Sequence, residues 1–187
     1  MGNVLVITIV MTSIAHVQII EKIIYVIAHC MLKYKEVLIG FREVPDELSL
    51  CINISGCQIQ CPDCHSKWLW ENTGKDLTIS ELHKLIEQNK GISCVCLMGG
   101  DHEPEYIEAL ARAIKAYNNG ELKVCWYSGK TELPKVDLCT FDFIKIGPYI
   151  KEFGGLDNPN TNQQFFKVYK LNGLCELVDI TSKFQKL

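Results

Sequence analysis

The chain has 187 residues, 48% hydrophobic and 22% charged, with 19 basic against 22 acidic side chains and a net charge of -3. That length fits one domain, or one with a short appendage, and the apolar share is enough for a single core. The composition excludes a disordered chain or a coiled coil, and with no basic run nothing suggests nucleic-acid binding. Ten cysteines stand out. Most lie in apolar, strand-like runs rather than in a small disulfide scaffold. This favours a reducing, cytoplasmic setting, with a few cysteines in metal or catalytic use.

Residues 3–20 read NVLVITIVMTSIAHVQII, long enough for a membrane span. His16, Gln18, Glu21 and Lys22 interrupt or flank the run, and no Lys or Arg precedes it as a signal peptide requires. Val6 stands where a myristoylation signal wants Ser or Thr. Residues 1–30 therefore read as an apolar N-terminal extension to a domain over 31–187. A mis-assigned start, a membrane anchor and an added packing element stay open, and a membrane partner is not expected.

From Met31 the chain has mixed charge. Tyr34 to Ile39 and Leu48 to Ile54 have strand character, with a turn at Pro45-Asp46. Thr78-Ile79-Ser80-Glu81 is a capping box opening a helix whose apolar face is Leu82, Leu85 and Ile86. Ile92 to Met98 is a continuous apolar run, as in a strand buried on both faces, and Gly99-Gly100-Asp101 ends it. Pro104 suits a helix first turn, and Ile107, Leu110, Ala111 and Ile114 give the buried stripe. Strands follow at Leu122 to Tyr127 and Phe141 to Ile146. Asn172-Gly173 marks a hairpin between Gln164 to Leu171 and Leu174 to Ile180. Alternating strands and helices predict an α/β fold with mostly parallel strands and a C-terminal β-hairpin.

Cys57, Cys61 and Cys64 have the spacing C-x3-C-x2-C on one short loop. A structural zinc site usually takes four protein ligands in two spaced pairs, and the second pair is missing here. Three thiolates suit a [4Fe–4S] cluster with one iron left open to an exogenous ligand.

This spacing resembles the radical S-adenosylmethionine enzymes. Gly99-Gly100-Asp101 is similar to their GGE-type motif, with Asp for Glu, and the glycines would permit close approach of the backbone to the methionine amino group. A narrower resemblance runs from Met31 to about Val168. It rests on Cys61-Pro62-Asp63-Cys64-His65-Ser66, Trp68-Leu69-Trp70, Tyr127-Ser128-Gly129, Asp142 to Tyr149, Gly154-Gly155-Leu156 and Thr161-Asn162-Gln163. These segments resemble the activating proteins of anaerobic ribonucleoside-triphosphate reductase. The resemblance implies a partial (βα) barrel of the radical type, with Cys57, Cys61 and Cys64 as cluster ligands. Gly99, Gly100, Asp101, Ser128 and His65 would lie at the S-adenosylmethionine site. It also implies reductive cleavage of that cofactor and a glycyl radical made on the reductase large subunit, with a one-electron donor such as flavodoxin.

Other readings stand beside this one. A small-molecule radical enzyme such as a 7-carboxy-7-deazaguanine synthase is the nearest alternative. A zinc-binding interaction module would add Cys51 as fourth ligand. Cys94, Cys96, Cys125, Cys139 and Cys175 read as buried packing thiols. His65, directly after the cluster loop, reads as a residue that tunes the cluster or as an exposed loop histidine, His102 after Gly-Gly-Asp as a solvent-exposed residue at a helix N-terminus, and Trp68 and Trp70 as the cluster's cover or as core. Lys145, on an apolar strand, is expected to snorkel or to meet a carboxylate.

Overall fold

The computed structural model describes residues 32–117, 119–171 and 174–186, so the expected extension over 1–30 lies outside the described residues. Eight strands form one sheet in the order β3-β1-β2-β4-β5-β6-β7-β8. They are β1 (Lys33–Gly40), β2 (Ser49–Ile54), β3 (Lys75–Asp76), β4 (Cys94–Met98), β5 (Lys123–Tyr127), β6 (Phe143–Ile146), β7 (Gln164–Leu171) and β8 (Leu174–Asp179). Among the described residues there are two α-helices, α1 (Ile79–Gln88) and α2 (Pro104–Tyr117).

The expected partial (βα) barrel of mostly parallel strands does not form. Among the described residues only β2-β4, β4-β5 and β5-β6 pair in parallel. The pairs β1-β2, β1-β3, β6-β7 and β7-β8 are antiparallel, so the sheet is mixed and mostly antiparallel. The cause is in the connections. A parallel neighbour needs a crossover, and only α1 and α2 supply helical ones. Between β5 and β6 the sequence yields a 3₁₀ turn at Leu138–Thr140 instead of a helix. The C-terminal hairpin forms, with its turn residues outside the described set.

The helices begin where the local chemistry directs. Thr78 Oγ1 accepts the Glu81 amide at 3.1 Å. The Glu81 carboxylate does not close the box; it takes Tyr34 Oη–H and the Lys75 ammonium instead. Pro104 is the first residue of α2. Leu82, Leu85, Ile107, Leu110 and Ile114 pack against Leu50, Ile52, Val95, Leu97, Val124 and Trp126 on one sheet face.

Strand alternation sends the intervening residues to the other face. There Cys51, Cys94, Cys96, Cys125, Phe143 and Phe165 form a second cluster, covered by Val44, Leu156 and Phe184. The central strands read as unbroken apolar runs because both of their faces are covered. Tyr127 and Lys145 continue this second face, two residues beyond Cys125 and Phe143.

The described part also carries a bond that the sequence did not suggest. Cys139 and Cys175, read above as packing thiols, form a disulfide with their Cα atoms 5.6 Å apart. No helix among the described residues is long and apolar enough to cross a membrane.

Candidate functional site

Several of the segments that carry the sequence resemblance meet at one end of the sheet. β2, β4, β5 and β6 all end there: β2 runs into the cysteine loop, β4 into Gly99-Gly100-Asp101, β5 into Ser128-Gly129 and β6 into Gly147-Pro148-Tyr149. The Asn162-Gln163 segment, just before β7, comes back to the same end. A Cβ at Gly147, whose φ is +103°, would lie 3.0 Å from Gln163 Cα, and Asn162 Nδ2 donates to the Pro148 carbonyl at 2.9 Å. The carboxyl ends of parallel strands are where α/β sheets bind ligands.

The cysteine loop has no regular structure between Ile54 and Lys67. It is closed by the Cys57 amide donating to the Leu69 carbonyl at 3.0 Å and by the Cys64 amide donating to the Cys61 carbonyl at 3.0 Å. Cys57, Cys61 and Cys64 are free and half-buried. The Ser66 amide points at Cys64 Sγ, 3.3 Å away.

Asp101 is 7% exposed, and its carboxylate is occupied by the neighbouring loop. Ser128 Oγ–H donates to Oδ1 at 2.5 Å and the Gly129 amide donates to Oδ2 at 3.0 Å. Gly129 in turn touches the cysteine loop: a Cβ there would fall 2.8 Å from Ile59 Cγ1. Asp101 therefore latches one loop, and that loop abuts the loop holding the thiols. The carbonyl of Gly99 accepts Trp126 Nε1–H at 2.8 Å. Gly100 has φ +80°, and its missing side chain would point at Ile107 and Leu32. The expected room for a ligand at Gly100 is thus room for the core.

Lys145 departs from its expectation. It neither snorkels nor pairs with a carboxylate. It is 7% exposed, and its ammonium donates to the carbonyls of Gly147 at 2.5 Å and Ser128 at 3.4 Å. Burial pulls its pKa down to about 8, against the opposing charges of Asp101, Cys61 and Cys64. The sequence signal was the lysine itself in an apolar strand; its partners come from separate loops and were not legible.

His65 is exposed and sets its ring edge on Tyr149, with centroids 5.0 Å apart. Trp68 is 42% exposed and so is not part of the core. Trp70 Nε1 and His102 Nδ1 are buried polar atoms with no hydrogen-bond partner, and the His102 ring lies beside Gly56, next to Cys57.

The remaining free thiols are separate. Cys51, Cys96 and Cys125 are in register across β2, β4 and β5, and they hydrogen-bond to one another through their side chains. For Cys96 and Cys125 burial is the leading cause of a raised pKa, with Cys125 pushed up to about 11; for Cys51 the bond to Cys96 leads. Such thiols stay protonated and are poor metal ligands. Cys51 is therefore spent inside the sheet, and the zinc reading loses its fourth ligand.

The loop's donor set fits an iron–sulfur cluster. Three free, half-buried thiols share one short loop, and thiolates are the usual ligands of such clusters. Among the described residues no three Cys, His, Asp or Glu side chains gather as a single-ion site. A four-iron cluster does not require that, since each cysteine binds a different iron.

The family model of a 4Fe-4S single cluster domain matches residues 46–137. The chain carries an iron–sulfur cluster domain. Its matched span runs from before β2 to beyond Ser128-Gly129, so it takes in the cysteine loop, Asp101 and both helices. An iron–sulfur domain of this kind is compatible with a redox enzyme. No curated protein and no solved structure matches the chain.

Proposed function

We propose that this iron–sulfur protein is a radical S-adenosylmethionine activase that makes a glycyl radical on the large subunit of an anaerobic ribonucleotide reductase. One observation carries the reading: the cysteine loop, Gly99 to Asp101, Ser128-Gly129, Gly147 to Tyr149 and Asn162-Gln163 share one end of the sheet. In this reading Cys57, Cys61 and Cys64 hold a [4Fe–4S] cluster with one open iron. Bound there, the cluster and S-adenosylmethionine supply one-electron chemistry and a radical able to take hydrogen from a glycine α-carbon.

The protein's part is to hold and to shield. Asp101 fixes the Ser128-Gly129 loop, and Gly129 supports the cysteine loop through Ile59. His65 and Tyr149 join the cysteine loop to the end of β6. The reading places the protein in a reducing cytoplasm with a flavodoxin-like electron donor.

Single Cys57→Ala, Cys61→Ala and Cys64→Ala variants are expected to lose the cluster and all S-adenosylmethionine cleavage. Cys94→Ala is expected to keep both, since its thiol is buried away from the loop. Anaerobic reconstitution with iron and sulfide counting, followed by assay of 5′-deoxyadenosine, checks this. With reductant and a cognate reductase large subunit, spin resonance should show a doublet glycyl signal. Full cluster content in Cys61→Ala overturns the ligand assignment. Cofactor cleavage with conversion of a small molecule and no glycyl signal overturns the activase reading in favour of a small-molecule radical enzyme.

A further inference from the structure

Lys145 is a cation without an anion in ion-pair contact. Among the described residues no carboxylate lies within ion-pair distance of its ammonium, although eight other ion pairs form. Asp101, the carboxylate that acts on it, spends both oxygens on Ser128 and Gly129. An ammonium has three N–H donors, and the Gly147 and Ser128 carbonyls take two. A buried charge left in that state is costly unless something anionic completes its shell.

Besides the two carbonyls, the Lys145 ammonium lies 5.9 Å from the centroid of the Tyr127 ring, which supplies no full negative charge. Asp101, then Cys61 and Cys64, are the acidic groups near enough to act on Lys145 electrostatically. The geometry agrees. Lys145 bonds Ser128, which neighbours Gly129, and Gly129 presses on Ile59 between Cys57 and Cys61. From the other side His65, next to Cys64, rests on Tyr149, two residues from Gly147. Lys145 thus sits beneath the cysteine loop on the second face of the sheet, shielded from water that would screen it.

We propose that Lys145 is the charge partner of the cluster held by Cys61 and Cys64, and that it sets how easily that cluster accepts an electron. This rests on the proposed three-cysteine cluster and adds a role for a residue outside the ligand loop. Each added electron makes a thiolate-bound cluster more negative. A fixed positive charge in a dry site favours the reduced form, and hydrogen bonds and net charge are what tune such potentials. Lys145 acts through the cluster as a positioning and tuning residue.

The test is a dithionite-poised redox titration of the reconstituted wild type and of Lys145→Met, read by the loss of visible absorption and without substrate. Met keeps length and removes charge. Equal iron and sulfide content is expected in both. At a fixed potential the ratio of reduced to oxidised cluster should be about tenfold lower in Lys145→Met, which for a one-electron couple is about 59 mV toward more negative potential. Superimposable titrations in equally loaded proteins overturn the proposal. So does an unchanged potential with weakened S-adenosylmethionine binding, which would make the cofactor carboxylate the anion that Lys145 meets. If Lys145→Met fails to load iron, Lys145→Arg decides: normal loading there shows that the charge is needed and supports the proposal. Failure of both variants makes Lys145 a packing residue and ends it. A wild type that takes up no iron overturns the cluster assignment itself, before Lys145 is reached.

Discussion

Gly100→Val is expected to destabilise the domain strongly rather than to weaken a ligand. The backbone there has φ +80°, a region that a β-branched residue avoids. The new Cβ would lie 2.5 Å from Ile107 Cδ1 and 3.1 Å from Leu32 Cδ1, and both of those side chains are fully buried. Backbone strain and overpacking together cost about 4 kcal/mol. That is a large part of an ordinary domain's stability. Gly91→Ala supplies the control. Its φ is also positive, at +91°, but nothing lies within 4 Å of the added carbon, so only the backbone cost of about 1 kcal/mol is expected. Urea unfolding of the two variants measures the difference. Midpoints that differ by no more than a few tenths of a kcal/mol in free energy would show that Ile107 and Leu32 yield, and would return Gly100 to the list of ligand-facing glycines.

Gly100 also shows where sequence reading ends. Gly-Gly-Asp after a buried strand marks a sharp change of direction, and that much is legible from residue type. Which way the missing side chain would point is not, because it depends on where α2 packs back on the sheet. The same division holds elsewhere. Thr78, Pro104 and the stripe Ile107, Leu110, Ala111 and Ile114 act within one turn or one helix, and the structure has them as read. The barrel failed because it depended on partners distant in sequence. β1 and β7 each fold back on a neighbour, and the step from β5 to β6 lacks a helix, so closure has no repeating unit to build it. The Cys139–Cys175 bond was hidden for the same reason: 36 residues separate two cysteines that looked like core. The cysteine loop is the opposite case. Its three thiols lie within eight positions, so their spacing alone drew attention to the region that the family match later covered.

Asp101 tests whether the site is one mechanical unit. Asp101→Ala is expected to lower stability by about 3–5 kcal/mol, since two hydrogen bonds to a charged acceptor are lost and their donors are stranded. Those donors are the Ser128 hydroxyl, on a side chain only 1% exposed, and the Gly129 amide. Ser128 Oγ also accepts the Lys130 amide at 3.1 Å, so a loosened Ser128 takes a third residue with it. Asp101→Asn should cost less, about 1–2 kcal/mol. Its amide can turn to accept from Gly129 with the oxygen and donate to Ser128 with the nitrogen, so it loses charge but not connectivity. Ser128→Ala removes the bonds to Asp101 and from the amide of the exposed Lys130 but leaves the Gly129 bond intact and no buried charge unpaired, and should resemble Asp101→Asn. The order of stabilities is therefore wild type, then Asp101→Asn and Ser128→Ala together, then Asp101→Ala. Urea unfolding gives that order, and amide hydrogen exchange at Gly129 reads the latch directly, because exchange there should quicken most in Asp101→Ala. The consequence for the cluster follows from the Gly129 contact with Ile59. A released Gly129 no longer braces the cysteine loop, so Asp101→Ala should load the same iron as wild type but lose it faster in air. An Asp101→Ala protein as stable as Ser128→Ala, with unchanged exchange at Gly129, would mean that the two loops hold their places independently and that Asp101 is no latch.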